Sequence, residues 1–98
     1  MKFYRLRKNI RKGIIMARYK RIYETVCSGD KDTNVSFVDL LRLLELLGFK
    51  CRIKGDHFIH TKEGIKHIIN IQPKKDGKAK PYQVKQIRNI INENNLEV

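Results

Sequence analysis

At Gly48 the apolar period of this chain changes. Before it, Phe37, Leu40, Leu41, Leu44 and Leu47 recur three and four residues apart, with Leu43 and Leu46 widening the stripe. After it, Phe49, Cys51 and Ile53 alternate with Lys50, Arg52 and Lys54. The first period buries one side of a helix and the second one face of a strand, so a single short chain must combine both. The helix is delimited by its own chemistry. Ser36 and Asp39 form an S-x-x-D capping pattern, Val35 is placed to staple onto Leu40, and Gly48 supplies the left-handed residue that ends the last turn. So many leucines in one short helix make a core rather than a cofactor-binding stripe.

The rest of the chain completes the pattern. Gly55–Asp56 reads as a turn, 57–61 as a second strand, 62–64 as another turn and 65–71 as a third strand. Residues 72–81 (QPKKDGKAKP) form a basic loop. Pro81 suits the first turn of a closing helix, with Val84, Ile87, Ile90 and Ile91 facing inward and Lys85 and Arg88 pointing away. Upstream, Tyr19, Ile22, Tyr23 and Val26 mark a further helix from Ala17, stopped at Gly29. The polar stretch 28–34 links it to Ser36. Residues 1–15 read as a basic arm without clear periodicity, either untranslated ahead of a start at Met16 or a solvated tail. The expected organisation is an arm (1–15), a helix and linker (16–35) and an αβββα domain (36–98). The fold class is α+β: a three-stranded antiparallel sheet with helices on one face and the other face open.

Charge narrows the function. The chain has 98 residues and a net charge of +12, from 22 Lys+Arg against 10 Asp+Glu. Residues 1–21 hold nine basic and no acidic residues, and residues 50–88 hold eleven basic against three acidic. The segments between and after them are net acidic. Two basic blocks call for an anionic partner, and one block coincides with the hairpin and loop that follow Gly48. The longest apolar run, Ile14–Ala17, is far below the ~18–20 residues of a membrane span. The basic start lacks the apolar segment of a secretory signal. If the arm binds anionic membrane, it does so without the ordered apolar face that such binding needs. Cys27 and Cys51 have no CxxC spacing and read as small buried hydrophobes in a reducing, cytoplasmic setting.

The αβββα order, the stretch GFKCRIKGDHFIHTKEG and the closing helix after a lysine-rich loop resemble the HicA toxins. The resemblance covers Ser36 to about Ile91, and the preceding helix is similar to a longer form of that family. It implies a fold like the double-stranded RNA-binding domain and a metal-independent mRNA endonuclease without a cofactor. It also implies restraint by a HicB-like antitoxin that covers the catalytic histidine. The family signature is glycine, serine and histidine at the first hairpin tip, usually followed by a second histidine. The matching positions are Gly55, Asp56, His57 and Phe58. Glycine and the catalytic histidine are kept, while Asp56 and Phe58 replace the serine and the second histidine. An aspartate there either opposes an approaching phosphate or orients a protonated imidazole.

RNA cleavage without a metal needs a base for the ribose 2′-hydroxyl, an acid for the leaving 5′-oxygen and cations for the phosphorane. Histidine suits the first two roles because it titrates near neutral pH. His57 is the candidate catalytic residue, with the plainer reading a hairpin residue that only hydrogen-bonds. Arg52 and Lys54, on the same alternating set, are the candidate charge stabilisers. Lys74, Lys75, Lys78 and Lys80 are candidate phosphate contacts, against a merely solvated charge run. His57, His60 and His67 have the spacing H-x2-H-x6-H. Residues three apart on a strand point to opposite faces, so cross-strand polar partners fit His60 and His67 better than a metal site. A non-catalytic RNA- or DNA-binding module is the competing function.

Overall fold

The computed structural model describes residues 8–98, with side chains from Ala17. Its elements are α1 (Lys8–Ser28), a 3-10 turn (Asp32–Asn34), α2 (Phe37–Leu46), β1 (Lys50–Lys54), β2 (His57–Lys62), β3 (Ile65–Ile71) and α3 (Pro81–Asn94). The strands form one antiparallel sheet in the order β1-β2-β3. The α+β class and the αβββα order behind an extra helix are as the periodicities require.

The boundaries follow from local chemistry. Ser36 caps α2 by accepting from the Asp39 N–H at 3.4 Å. Gly48, at φ +95°, closes it: Gly48 N–H donates to the Glu45 carbonyl and Phe49 N–H to the Leu44 carbonyl, both at 3.0 Å. This pair of bonds satisfies the last carbonyls while turning the chain into β1. Pro81 opens α3, and the buried Gln83 reaches back to accept from the Lys80 N–H at 3.2 Å. One boundary differs from expectation. α1 begins at Lys8, inside the span read as an arm, because Lys, Arg and Met are good helix formers that need no apolar stripe to extend a helix. Residues 1–7 of that arm lie outside the described residues.

The core lies between the helices and one face of the sheet. Leu40, Leu43 and Leu44 of α2, Val84 and Ile87 of α3, Val26 of α1 and Ile69 and Ile71 of β3 are fully buried. On β3, alternate residues from Ile69 to Ile71 face inward, and the register places Phe58 opposite Ile71 and His60 opposite Ile69. Helices therefore cover a single face, and it is covered best along β3.

Two expectations fail at the margins of this core. Every residue of β1 is exposed, including Ile53 at 61% and the thiol-bearing Cys51. Both occupy the inward-facing set, yet β1 is an edge strand, and the helices that seal β3 do not reach across to it. Cys51 is therefore not a buried hydrophobe, and Cys27 is only half-buried. Arg88, expected to point away, folds back instead. Its guanidinium makes two bonds to the Asp32 carboxylate, at 2.9 and 3.0 Å, and a third to the Val26 carbonyl at 3.1 Å. It thereby ties α3 to the end of α1 and to the 3-10 turn.

Candidate nucleic-acid interface

The uncovered face of the sheet is assembled by strand alternation. Lys54 pairs with His57 and Arg52 with Ile59 across β1–β2, and Ile59 pairs with Asn70 across β2–β3. These residues share the outer face, to which Lys50, Lys66 and Ile68 also belong by period. No strand residue is acidic. The result is a shallow, open surface with cations along β1 and a polar centre at the hairpin tip.

That tip is a two-residue connection, Gly55–Asp56, with positive φ at Gly55 (+63°) and not at Asp56. A glycine in the first central position matches the primed turns whose twist suits a hairpin. The turn fixes His57 as the first residue of β2, directly opposite Lys54. Its side chain remains 47% exposed while engaging three neighbours. His57 Nδ1 lies 3.1 Å from Asn70 Oδ1, and Nε2 lies 3.2 Å from Gln72 Nε2. Gln72 Nε2 also donates to Asp56 Oδ1 at 3.1 Å, and Lys80 Nζ approaches Gln72 Oε1 at 3.5 Å. The Asp56 carboxylate itself stands 3.8 Å from His57 Nε2, with the glutamine amide bonded to both.

The sequence candidates separate on this frame. His57, Arg52, Lys54 and Gly55 converge at one end of the open face. Lys80 joins them through Gln72. Lys74, Lys75 and Lys78 belong to a tight turn closed by Gly77 N–H to the Lys74 carbonyl and Lys74 N–H to the Lys78 carbonyl. The turn is pinned beside the start of α2 by Phe37 N–H to the Gly77 carbonyl (3.0 Å) and Ala79 N–H to the Val35 carbonyl (2.8 Å). Within it, Asp76 lies 3.7 Å from Lys74 Nζ and accepts from the Lys78 N–H at 3.0 Å. That backbone bond, helped by the two lysines, holds the Asp76 carboxyl below the usual carboxylate range. This part of the basic loop is thus ordered and partly neutralised from within. Among the described residues, none of its three lysines has a bond to the His57 network.

The three histidines also separate. His57 is on the open face and His60 on the covered one, as alternation requires. His60 is 2% exposed, and its Nδ1 has no hydrogen-bond partner, so the expected cross-strand polar partner is not there. Burial lowers its pKa from 6.5, offset only in part by the backbone of Phe58 and Ile69. His67 pairs with Glu93 of α3 at 3.0 Å, so its partner comes from a helix rather than a neighbouring strand. Among the described residues no group of three His, Cys, Asp or Glu side chains is arranged to hold a metal ion.

Asn70, Gln72 and Lys66 were missed by sequence reasoning. Strand period alone places Lys66, while only the register identifies the other two: Asn70 by its pairing with Ile59, and Gln72 as the next position past Ile71, which pairs with Phe58. The described residues also line a hollow formed by Gly48, Lys50, Thr61, Lys62 and Glu63, at the opposite end of the β1–β2 hairpin from His57. No described helix is long and apolar enough to cross a membrane. Comparison with protein-family models, curated proteins and solved structures finds no match to this chain.

Proposed function

We propose that this protein is a HicA-like endoribonuclease that cleaves mRNA without a metal and is neutralised by a HicB-like antitoxin lying over the open face. The observation that carries this reading is the position of His57: an exposed imidazole at the tip of a hairpin, opposite Lys54, on a sheet face free of acidic strand residues. Nε2 takes the proton of a ribose 2′-hydroxyl, and the 2′-oxygen attacks the adjacent phosphorus. The 5′-oxygen leaves with a proton from solvent, giving a 2′,3′-cyclic phosphate and a 5′-hydroxyl end. Lys54 and Arg52 offset the charge that gathers on the phosphorane. The need for a 2′-hydroxyl restricts the reaction to RNA.

Purified protein in the presence of a chelator, incubated with single-stranded RNA, tests this reading. Cleavage by the native chain and none by His57→Ala supports it. If neither cleaves, and neither impairs growth when expressed without a partner, catalysis is excluded. A second reading, a non-catalytic RNA-binding module, is favoured by Asp56 and Gln72, which crowd the basic nitrogen of His57. It predicts steeply salt-dependent binding with intact RNA, falling roughly 10³- to 10⁵-fold between 50 and 200 mM salt if six to ten phosphates are contacted.

A further inference from the structure

The side chains around His57 form a polar series that ends on two opposite charges, Asp56 and Lys80. A glutamine amide has two unlike ends, and both ends of Gln72 meet a charged group. Its nitrogen faces Asp56 Oδ1 at 3.1 Å and its oxygen faces Lys80 Nζ at 3.5 Å. An ionised carboxylate only accepts and an ammonium only donates. Reversing the amide would set carbonyl against carboxylate and NH2 against ammonium, so the two charges choose the orientation.

That choice passes to the imidazole. The amide nitrogen carries two hydrogens, one directed to Asp56 and the other to His57 Nε2 at 3.2 Å. Nε2 must then present its lone pair. In a neutral ring the hydrogen therefore resides on Nδ1, where Asn70 Oδ1 receives it at 3.1 Å. Each bond in the series has only one polarity consistent with the one before it.

We infer that Gln72, oriented by Asp56 and Lys80, acts with Asn70 to hold His57 as the Nδ1–H tautomer, leaving Nε2 as its single basic nitrogen. These four are positioning residues. The inference rests on the ribonuclease reading for its purpose, since Nε2 is the base in that reaction, but not for its geometry. It also assigns Asp56 a role, one that acts through the 3.1 Å bond to Gln72, with the carboxylate itself 3.8 Å from the imidazole. A 2′-hydroxyl reaching Nε2 donates just as the Gln72 N–H does. It replaces the glutamine without changing the tautomer, so the resting bond stands in for the substrate's.

The test reads the tautomer directly. A neutral histidine side chain in water favours Nε2–H, so the inferred state is the opposite of the default. Long-range ¹H–¹⁵N correlation spectra of the full chain at a pH of about 8, above histidine's usual titration range, distinguish the two ring nitrogens. The expected pattern for His57 is a protonated Nδ1 and an unprotonated Nε2. In Gln72→Glu, which keeps the shape but removes the donor, the Nδ1–H form loses its dominance. Asn70→Asp, which keeps the acceptor on Nδ1, retains it. The resonances of His60 and His67 report that each variant is folded. A native His57 in the Nε2–H form, or a Gln72→Glu spectrum unchanged at His57, overturns the inference.

RNA cleavage provides a separate arm. Gln72→Glu lowers kcat on the order of 10- to 100-fold, and Asn70→Asp retains more of the native kcat than Asn70→Leu does. If the native chain shows the Nδ1–H tautomer yet leaves RNA intact, the positioning inference stands and the ribonuclease reading falls. If RNA is cut by a His57 in the Nε2–H form, the reverse holds.

Discussion

Two histidines three residues apart on β2 have opposite fates. His57 lies on the uncovered face, half-exposed, with polar partners for both ring nitrogens. His60 lies on the covered face, with one nitrogen orphaned among apolar side chains. Nothing in their residue type separates them; the strand period does. A histidine's chemistry here is set by what the sheet places around it. On one face the neighbours supply donors, acceptors and cations. On the other they remove water and supply almost nothing in its place.

The largest expected difference between the two histidines is in activity. Under the proposed reaction, His57→Ala lowers the rate of RNA cleavage by ~10²- to 10⁴-fold with the fold intact, whereas His60→Leu leaves the rate near native. Single-turnover cleavage assays with circular dichroism as a fold control measure both. Equal losses in the two variants would remove the distinction between the faces.

Removing the cations comes next. If RNA lies on the open face as proposed, Arg52→Ala and Lys54→Ala each lower the slope of log affinity against log salt by about one, the loss of one phosphate contact. Fluorescence anisotropy over a salt series checks this. Lys74→Ala, whose ammonium already has Asp76 nearby, changes the slope less.

The covered histidine is expected to act on stability alone. Its folded-state pKa is depressed, so the unfolded chain binds this proton more tightly. The contribution is complete above about 6.5 and is lost as pH falls through the folded-state value. Chemical denaturation at a series of pH values should show that acid loss in the native chain and a weaker loss in His60→Leu. At neutral pH the leucine variant gains about 1 kcal/mol, since an unpaired buried polar atom is removed. The smallest effect is at the turn. A Cβ at Gly55 meets no atom within 4 Å, so Gly55→Ala carries only the strain of its positive φ. That strain costs about 1 kcal/mol, measurable as a shift in Tm.

Elements delimited by their own chemistry were legible in the sequence. Ser36, Gly48 and Pro81 each mark a boundary through a local bond or dihedral that needs no tertiary information, and the structure has a boundary at each. Strand alternation also separated His57 from His60. What stayed hidden depends on distant partners. Arg88 looked like an outward residue because its period is right for one, but Asp32, far away in sequence, draws it in. Cys51 and Ile53 looked buried because alternation gives the face of a residue and not the extent of the layer above it. Asn70 and Gln72 are ordinary polar residues until the register brings them to His57. The candidate site was thus half readable: its imidazole and nearest cations by pattern, its hydrogen-bond partners only by fold.

The exposed edge strand has a consequence for how copies of this molecule meet. β1 ends the sheet and offers its outer backbone groups for pairing, in the manner that seeds strand-to-strand aggregation. Two copies joined antiparallel about Arg52 would set Arg52 against Arg52 and Lys50 against Lys54, stacking like charges along the new seam. The cations proposed here to meet a phosphate chain would therefore also keep the strand from its own kind. That protection is electrostatic and weakens as salt rises, so the protein should stay dispersed best in dilute buffer.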